Sequence, residues 1–415
     1  MQLNSHRVWR CFLLWFFVAI FLAGGRAAAD GGPLRVGGYV KGFLTVLDRV
    51  EGTAGPVGWG AYCPIRLKAF WRPNRTVSGE VAYALTPRVR KGQGGFSGTA
   101  LPRSESLAYR GADLRAYLYP GLDKAPGTFA LAQNLDRMFF TVSLPAVDVY
   151  VGRQPIAFGS ARVVNPTDVI APFTHEALDK EERAGVDALR VRLPVGAMGE
   201  LDAGVVFGDG FSVKTGAAFL QGRVYWMETD FLLMAMVFRE HLLLGVDLAR
   251  AVGGAGAWLE AAWTLAGAAG GSRLDEDYVR ISGGLDYQFP GGIYGFVEYH
   301  FSGAGASGAY HGALNKTAFT EGGVYLMGRH YVAPGFTYQA TPLLTLSLQA
   351  LANTGDGSAF LAPRVGYGFT QDVFATAGVF IGLGPGGGGG RVEAERGSEF
   401  RRYPARYFGS LRFYF

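Results

Sequence analysis

The chain has 415 residues, of which 49% are hydrophobic, 14% aromatic and only 18% charged, with 63 glycines and a formal net charge of +5. That composition excludes a disordered chain, a coiled coil and an acidic solvating tail. A mean hydropathy of +0.14 is high for a water-soluble protein, yet only one stretch approaches the roughly 20 apolar residues of a spanning helix.

That stretch comes first in the chain. His6, Arg7 and Arg10 precede an unbroken apolar run from Cys11 to Leu22, and Ala27-Ala28-Ala29 stands before Asp30. The pattern predicts a secretory signal peptide over residues 1–29, cleaved near Ala29, and a mature protein of residues 30–415. Its removal takes Arg7, Arg10 and Arg26 and no acid, so the net charge falls to about +2 and the pI of 9.1 no longer argues for a nucleic-acid partner. Cys11 leaves with it, and Cys63 has no partner within the chain for a disulfide.

Beyond residue 30 no apolar run reaches helical span length; the nearest, Phe231 to Phe238, is broken by Arg239-Glu240-His241. What recurs is a segment of about ten residues with period-two alternation, bounded by Gly, Pro, Asn or Asp, as in outer-membrane barrels. In chain order the segments are 35–47, 61–72, 76–86, 107–119, 135–144, 147–154, 185–194, 199–208, 215–226, 229–238, 241–250, 255–266, 277–289, 292–302, 329–340, 343–353, 359–369, 372–382 and 405–415. A bacterial barrel needs an even number. The surplus is placed before residue 135, and the expectation is an all-β, up-and-down antiparallel transmembrane barrel of about 18 strands, within 16 to 20. From the C-terminus backward, tight turns at Gln371-Asp372, Thr341-Pro342, Pro290-Gly291, Trp226 to Thr229 and Pro145-Ala146 alternate with longer connections at 383–404, 303–328, 267–276 and 155–184. Short periplasmic turns and long external loops produce that rhythm.

Parity assigns the faces. Ile65, Leu67, Ala69 and Trp71 alternate with Arg66, Lys68, Phe70 and Arg72; Leu189, Val191 and Leu193 alternate with Arg190 and Arg192; Leu201, Ala203, Val205 and Phe207 alternate with Glu200 and Asp202. In lipid the charged face must be the interior. The predicted lumen cations are Lys41, Arg66, Lys68, Arg72, Arg115, Arg137, Arg190, Arg192, Arg280, Arg364, Arg406 and Arg412, against Glu80, Asp113, Glu200, Asp202, Asp286 and Glu298. That excess of cations predicts a modest anion preference centred on Arg66, Lys68, Arg190 and Arg192. Arg153 breaks the parity of Val147, Val149 and Val151, which points to a bulge or a strand end at Gly152.

The connection 155–184 exceeds the length at which loops tend to be functional. It carries Asp168, His175, Glu176, Asp179, Glu181 and Glu182 against Arg162, Lys180 and Arg183. It is expected to fold into or over the lumen, its acids meeting Arg66, Lys68, Arg190 and Arg192. Asn165, Asp168, Glu176, Asp179, Glu181 and Glu182 are the candidate constriction residues; Asn165-Pro166-Thr167-Asp168 itself needs only a Pro-containing turn. At the far end Tyr407, Gly409, Leu411, Phe413 and Phe415 share a face. The strand resembles the terminal strand of Gram-negative barrels, which ends in an aromatic residue and is read by the barrel-insertion machinery; Tyr407, Leu411, Phe413 and Phe415 would carry that signal.

The run LDRMFFTVSLPAVDVYVGRQPIAFGSARVVNPTDVIAPF from Leu135, with GRQ and Gly159 inside it, and GVDALRVRLP from Gly185 resemble porin-like outer-membrane proteins. Some of these are similar to the barrel partners of multihaem cytochromes in electron-transfer conduits. The resemblance covers about 60 residues and implies a porin-like β-barrel in the outer membrane. No GxSxG, HExxH, P-loop, paired CxxC, EF-hand or mature CxxCH motif occurs, so neither an enzyme nor a cofactor of its own is expected. The histidines lack ligand spacing, and Gly386 to Gly390 follows a strand instead of opening a helix, so it reads as a linker. The leading expectation is a passive channel for small solutes. The alternatives are a sheath around a periplasmic or surface multihaem cytochrome and an adhesin or assembly scaffold. Expected partners are outer-membrane lipid, lipopolysaccharide and the insertion machinery.

Overall fold

The computed structural model describes residues 32–48, 58–91, 109–114, 117–120, 128–270, 276–307, 310, 316–385 and 398–415. The signal peptide 1–29, Arg115, His311 and Gly386 to Gly390 lie outside them. In chain order the strands are β1 Leu34–Leu47, β2 Gly58–Tyr62, β3 Ile65–Trp71, β4 Val77–Lys91, β5 Tyr117–Tyr119, β6 Phe129–Leu144, β7 Val147–Pro155, β8 Gly185–Val195, β9 Gly199–Val206, β10 Ala217–Trp226, β11 Thr229–Phe238, β12 His241–Val252, β13 Ala255–Leu265, β14 Tyr278–Phe289, β15 Ile293–Ser302, β16 His330–Gln339, β17 Leu344–Asn353, β18 Ser358–Gly368, β19 Val373–Leu383 and β20 Arg406–Tyr414.

Among the described residues these make a closed antiparallel barrel of 18 staves. β2 and β3 form one stave interrupted at Cys63-Pro64, where proline offers no N–H to the ladder. Register is kept across the break, since Phe43 faces Tyr62 on one side and Val40 faces Ile65 on the other. The barrel closes between β1 and β20, from Tyr39 opposite Tyr414 to Leu47 opposite Arg406. Phe415 continues the seam through backbone bonds with Gly38 of 2.8 and 3.1 Å. Full closure leaves no unpaired edge in the apolar layer.

The strand expected at 107–119 is corrected. Among the described residues of that stretch only Tyr117–Tyr119 is strand, pairing with the Phe129 end of β6, while β4 runs on to Lys91 and pairs with β6 directly. Tyr109 is fully buried among interior apolar side chains, and the N–H of Gly111 donates to Asp187 at 3.0 Å. Those inward anchors bend the segment over the barrel instead of along it.

Outward side chains follow the period-two pattern: Leu67, Leu189, Leu233, Leu285 and Tyr407 are exposed to the surroundings of the barrel. The two-residue turn between β10 and β11 has positive φ at Met227 and Glu228 (48° and 59°), the twist-matched geometry of a tight hairpin. The connection at 156–184 runs inside the barrel, with Ile156, Val164, Val169 and Ile170 buried. It packs Ile156, Phe158, Val169 and Ile170 against Val186, Phe219, Met234, Met236 and Leu243 from β8, β10, β11 and β12. Val163, Val164 and Leu178 join a second cluster with Phe43, Tyr331, Phe360, Phe380 and Phe408. The barrel therefore holds its core inside itself.

Candidate functional site in the barrel interior

Ion pairs on opposite walls fix the path of the 156–184 loop. Its first arm meets acids carried by β12 to β15. Ser160 donates to Asp247, Ala161 N–H to Glu260 at 3.1 Å, Arg162 N–H to Glu298 at 2.7 Å, and the Arg162 guanidinium to Asp286 at 2.8 Å. Its second arm meets cations on the other side. Asp179 and Glu181 hold Lys41 of β1 at 2.8 and 2.7 Å, and Glu181 also binds Arg412 at 2.6 Å and the Tyr414 hydroxyl at 2.7 Å. Glu182 pairs with Lys68 of β3 and lies 3.4 Å from Arg137 of β6, and Glu176 accepts from Arg406 at 3.1 Å. The loop thus bridges an acidic wall and a basic wall, each matched by the opposite polarity.

The candidate residues fall into groups. Asn165 lies inside the first arm, its amide donating to Ala161 O at 3.1 Å and Glu260 at 3.2 Å. Asp168, fully buried, pairs with Arg183 and accepts Ala171 N–H at 3.3 Å, staying within the loop; burial pushes its carboxyl above the usual carboxylate range. Arg66 reaches Asp136 at 2.7 Å and lies 3.7 Å from Glu182. Arg190 and Arg192 do not touch the loop. Arg190 grips Asp202 with two bonds of 2.8 and 2.5 Å, and Arg192 pairs with Glu200 at 3.1 Å. The acids expected from the loop are replaced there by acids on the adjacent strand β9, where Asp202 stands directly opposite Arg192. Arg72 lies just past β3, exposed, with its guanidinium 5.6 Å from the Phe70 ring centroid, so it sits at the rim.

Several interior residues escaped parity. Arg153 and Gln154 are both buried: Gly152, at φ +118°, turns the strand so that Arg153 points inward, where it binds Asp187 at 2.7 Å and Asp113 at 2.9 Å. A Cβ at Gly152 would stand 2.3 Å from Met138 O, so only glycine fits. A register shift between Ala82 and Tyr83 leaves Asp136 bulged opposite β4, so Asp136 and Arg137 both face in and sit 3.0 Å apart. Asp247 and Glu260 kept the alternation and were legible in principle. Burial holds His175 neutral, with its value lowered to about 3, in a nest of Tyr325, Phe360, Phe400 and Tyr403 rings. Lys180 is lowered to about 8 by burial, then by Arg364 and Arg183.

Below the second arm, towards the tight-turn end, a cavity of about 410 Å³ lies between Glu181, Arg412 and Tyr414 and the wall at Gln339, Thr345, Phe374 and Thr376. Among the described residues no group of three or more His, Cys, Asp or Glu side chains is placed to hold a metal, and no helix is long and apolar enough to cross a membrane.

No protein-family model matches the chain, and no curated protein sequence matches it. Solved structures do, and they define the class of fold. A BenF-like porin of Pseudomonas fluorescens Pf-5 superposes with a TM-score of 0.58 at 12% identity, over 92% of this chain and 98% of that one. The outer membrane protein OprD of Pseudomonas aeruginosa gives 0.54 at 11%, over 94% and 95%. OpdK of the same organism, solved with vanillate, gives 0.55 at 10%, over 92% and 98%. The fold is that of these porins. The likeness to porin–cytochrome barrels drawn from the sequence gains no support from them.

Proposed function

We propose that the protein is a passive outer-membrane channel for small solutes, not an enzyme, narrowed by its own 156–184 loop. One observation carries the reading: a closed barrel with a charged interior is crossed by a loop tied to both walls, and a cavity of about 410 Å³ remains beside it. A barrel of this strand number has a lumen that must be filled or conducted through. Asn165, Asp168, Glu176, Asp179, Glu181 and Glu182 hold the constriction in shape. The terminal face of Tyr407, Leu411, Phe413 and Phe415 serves insertion, and residues 1–29 serve export.

A modest anion preference follows from the pairing pattern. Arg66, Lys68, Arg190 and Arg192 are matched by acids, so the preference shifts to cations that lack them. Arg364 lies over the Phe380 and Phe408 rings at 5.5 and 5.9 Å with no ion pair among the described residues, near Lys180 and Arg412. The vanillate found with OpdK is an aromatic carboxylate, and an organic anion of that size is a reasonable first solute to try. The cytochrome-sheath alternative needs the lumen for a partner, and the chain's own loop already crosses it. Fractionation with the outer membrane, heat-dependent SDS mobility and swelling of liposomes in small sugars test the proposal together. Recovery in the soluble periplasm, or liposomes that stay closed to every small solute, would refute it.

A further inference from the structure

We infer that Glu260 and Glu298 are the positioning residues of the constriction: two wall carboxylates that hold the first arm of the loop across the interior and so set the width of the path. The inference rests on the channel reading and names what fixes its geometry. Both side chains are 0–1% exposed, and neither forms an ion pair among the described residues. Backbone and side-chain donors replace the missing cation. Glu298, on β15, accepts the N–H groups of Arg162, Val163 and Val164 at 2.7, 3.2 and 3.0 Å, with Trp258 Nε1 at 3.1 Å. Glu260, on β13, accepts Ala161 N–H at 3.1 Å, Thr167 N–H at 2.8 Å and Thr167 Oγ1–H at 2.6 Å.

Consecutive N–H groups converging on one anion form a nest, and bonds to a charged acceptor are the strong kind. Between the two glutamates, β14 handles the opposite polarity: Ser282 Oγ donates to Val164 O at 2.6 Å and Arg280 donates to Pro166 O. The wall thus supplies the partners that a neighbouring strand would otherwise give this stretch of backbone. A loop that left would strand two buried carboxylates without donors, which is costly. Close approach is built in at Gly159, at φ +86°, where a Cβ would stand 2.4 Å from both Glu260 carboxylate oxygens.

The test uses the purified full chain with Glu260→Gln, Glu298→Gln and the double substitution, read in two ways. An amide keeps one acceptor oxygen and turns an NH2 towards the loop's own donors, so single-channel conductance is expected to rise about twofold, most in the double variant. Trypsin should cut at Lys180 or Arg183 in the assembled variants and spare the wild type. Should the glutamine forms fail to assemble, Gly159→Ala leaves both walls intact and is expected to give the same two changes. Wild-type conductance together with a protected loop in the assembled variants, or in Gly159→Ala, would overturn the inference. A wild type that conducts nothing would instead sink the channel reading, and the protease arm would still decide whether these glutamates hold the loop.

Discussion

Lys180 stands between two acids in sequence, yet Asp179 and Glu181 both turn to Lys41 while Lys180 is packed near Arg364 and Arg183. Its lowered value of about 8 means that it carries charge below that pH and loses it above. At low salt, where screening is weak, anion preference measured by reversal potential should decline as pH rises through about 8, and Lys180→Gln should remove the step. A flat wild-type profile across that range would contradict the assignment. Arg153 makes a different prediction. It satisfies Asp187, Asp113 and the carbonyls of Leu135 and Ala112, so Arg153→Met strips the partly buried Asp187 of its cation and leaves it the Gly111 N–H. A loss of about 3 kcal/mol is expected, read as a lower temperature for the heat-induced SDS mobility shift. An unchanged transition would show that the network is not holding β7 to β8.

The loop and the strands it touches explain an oddity of the sequence. Along Phe231 to Phe238 every residue is apolar, which alternation alone cannot read: Leu233, Ala235 and Val237 face outward, and Leu232, Met234, Met236 and Phe238 face the loop. A strand apolar on both faces of a barrel signals that something apolar lies inside, and Ile156, Phe158, Val169 and Ile170 of the loop are what packs there. The inward charges of β3 and β8 were legible from period two. The break at Gly152 was also legible, from Arg153 falling out of parity, though not its partners Asp187 and Asp113; Asp136 was hidden because a bulge flips the parity there. The pairing of the loop's first arm was hidden for another reason. Most of its bonds to Glu260 and Glu298 are made by main-chain N–H groups, which every sequence possesses.

His175 gives the loop a dependence on acid. Its value in the docked loop, about 3, is below the ordinary 6.5, so the docked state binds fewer protons than the free one. Docking is at full strength above 6.5 and weakens as pH falls towards about 3, with Lys180 and Arg406 opposing protonation and Glu176 facing it at 3.9 Å. Open-channel noise should increase between pH 6.5 and about 5, before ordinary carboxylates titrate, and His175→Phe should suppress the increase while keeping the ring contacts. Equal noise at both pH values in the wild type would mean that the ring is not seated as described.

At the scale of the whole molecule, the strand rhythm carried most of the fold: alternation and turn spacing gave a barrel of 18 staves once the segment at 107–119 was removed. What the interior does was less visible, since it depends on how one loop crosses from the acids of β12 to β15 to the cations of β1, β3 and β20. The proposed channel makes two demands at once, that the barrel conducts and that the loop limits it. Single-channel recording of the purified protein in a planar bilayer, wild type beside a deletion of Val163 to Glu182, addresses both halves. Discrete openings are expected in the wild type without any haem-bearing partner, and a larger conductance in a deletion variant that still assembles. A silent wild type that copurifies with haem, or a deletion with unchanged conductance, would contradict the proposal.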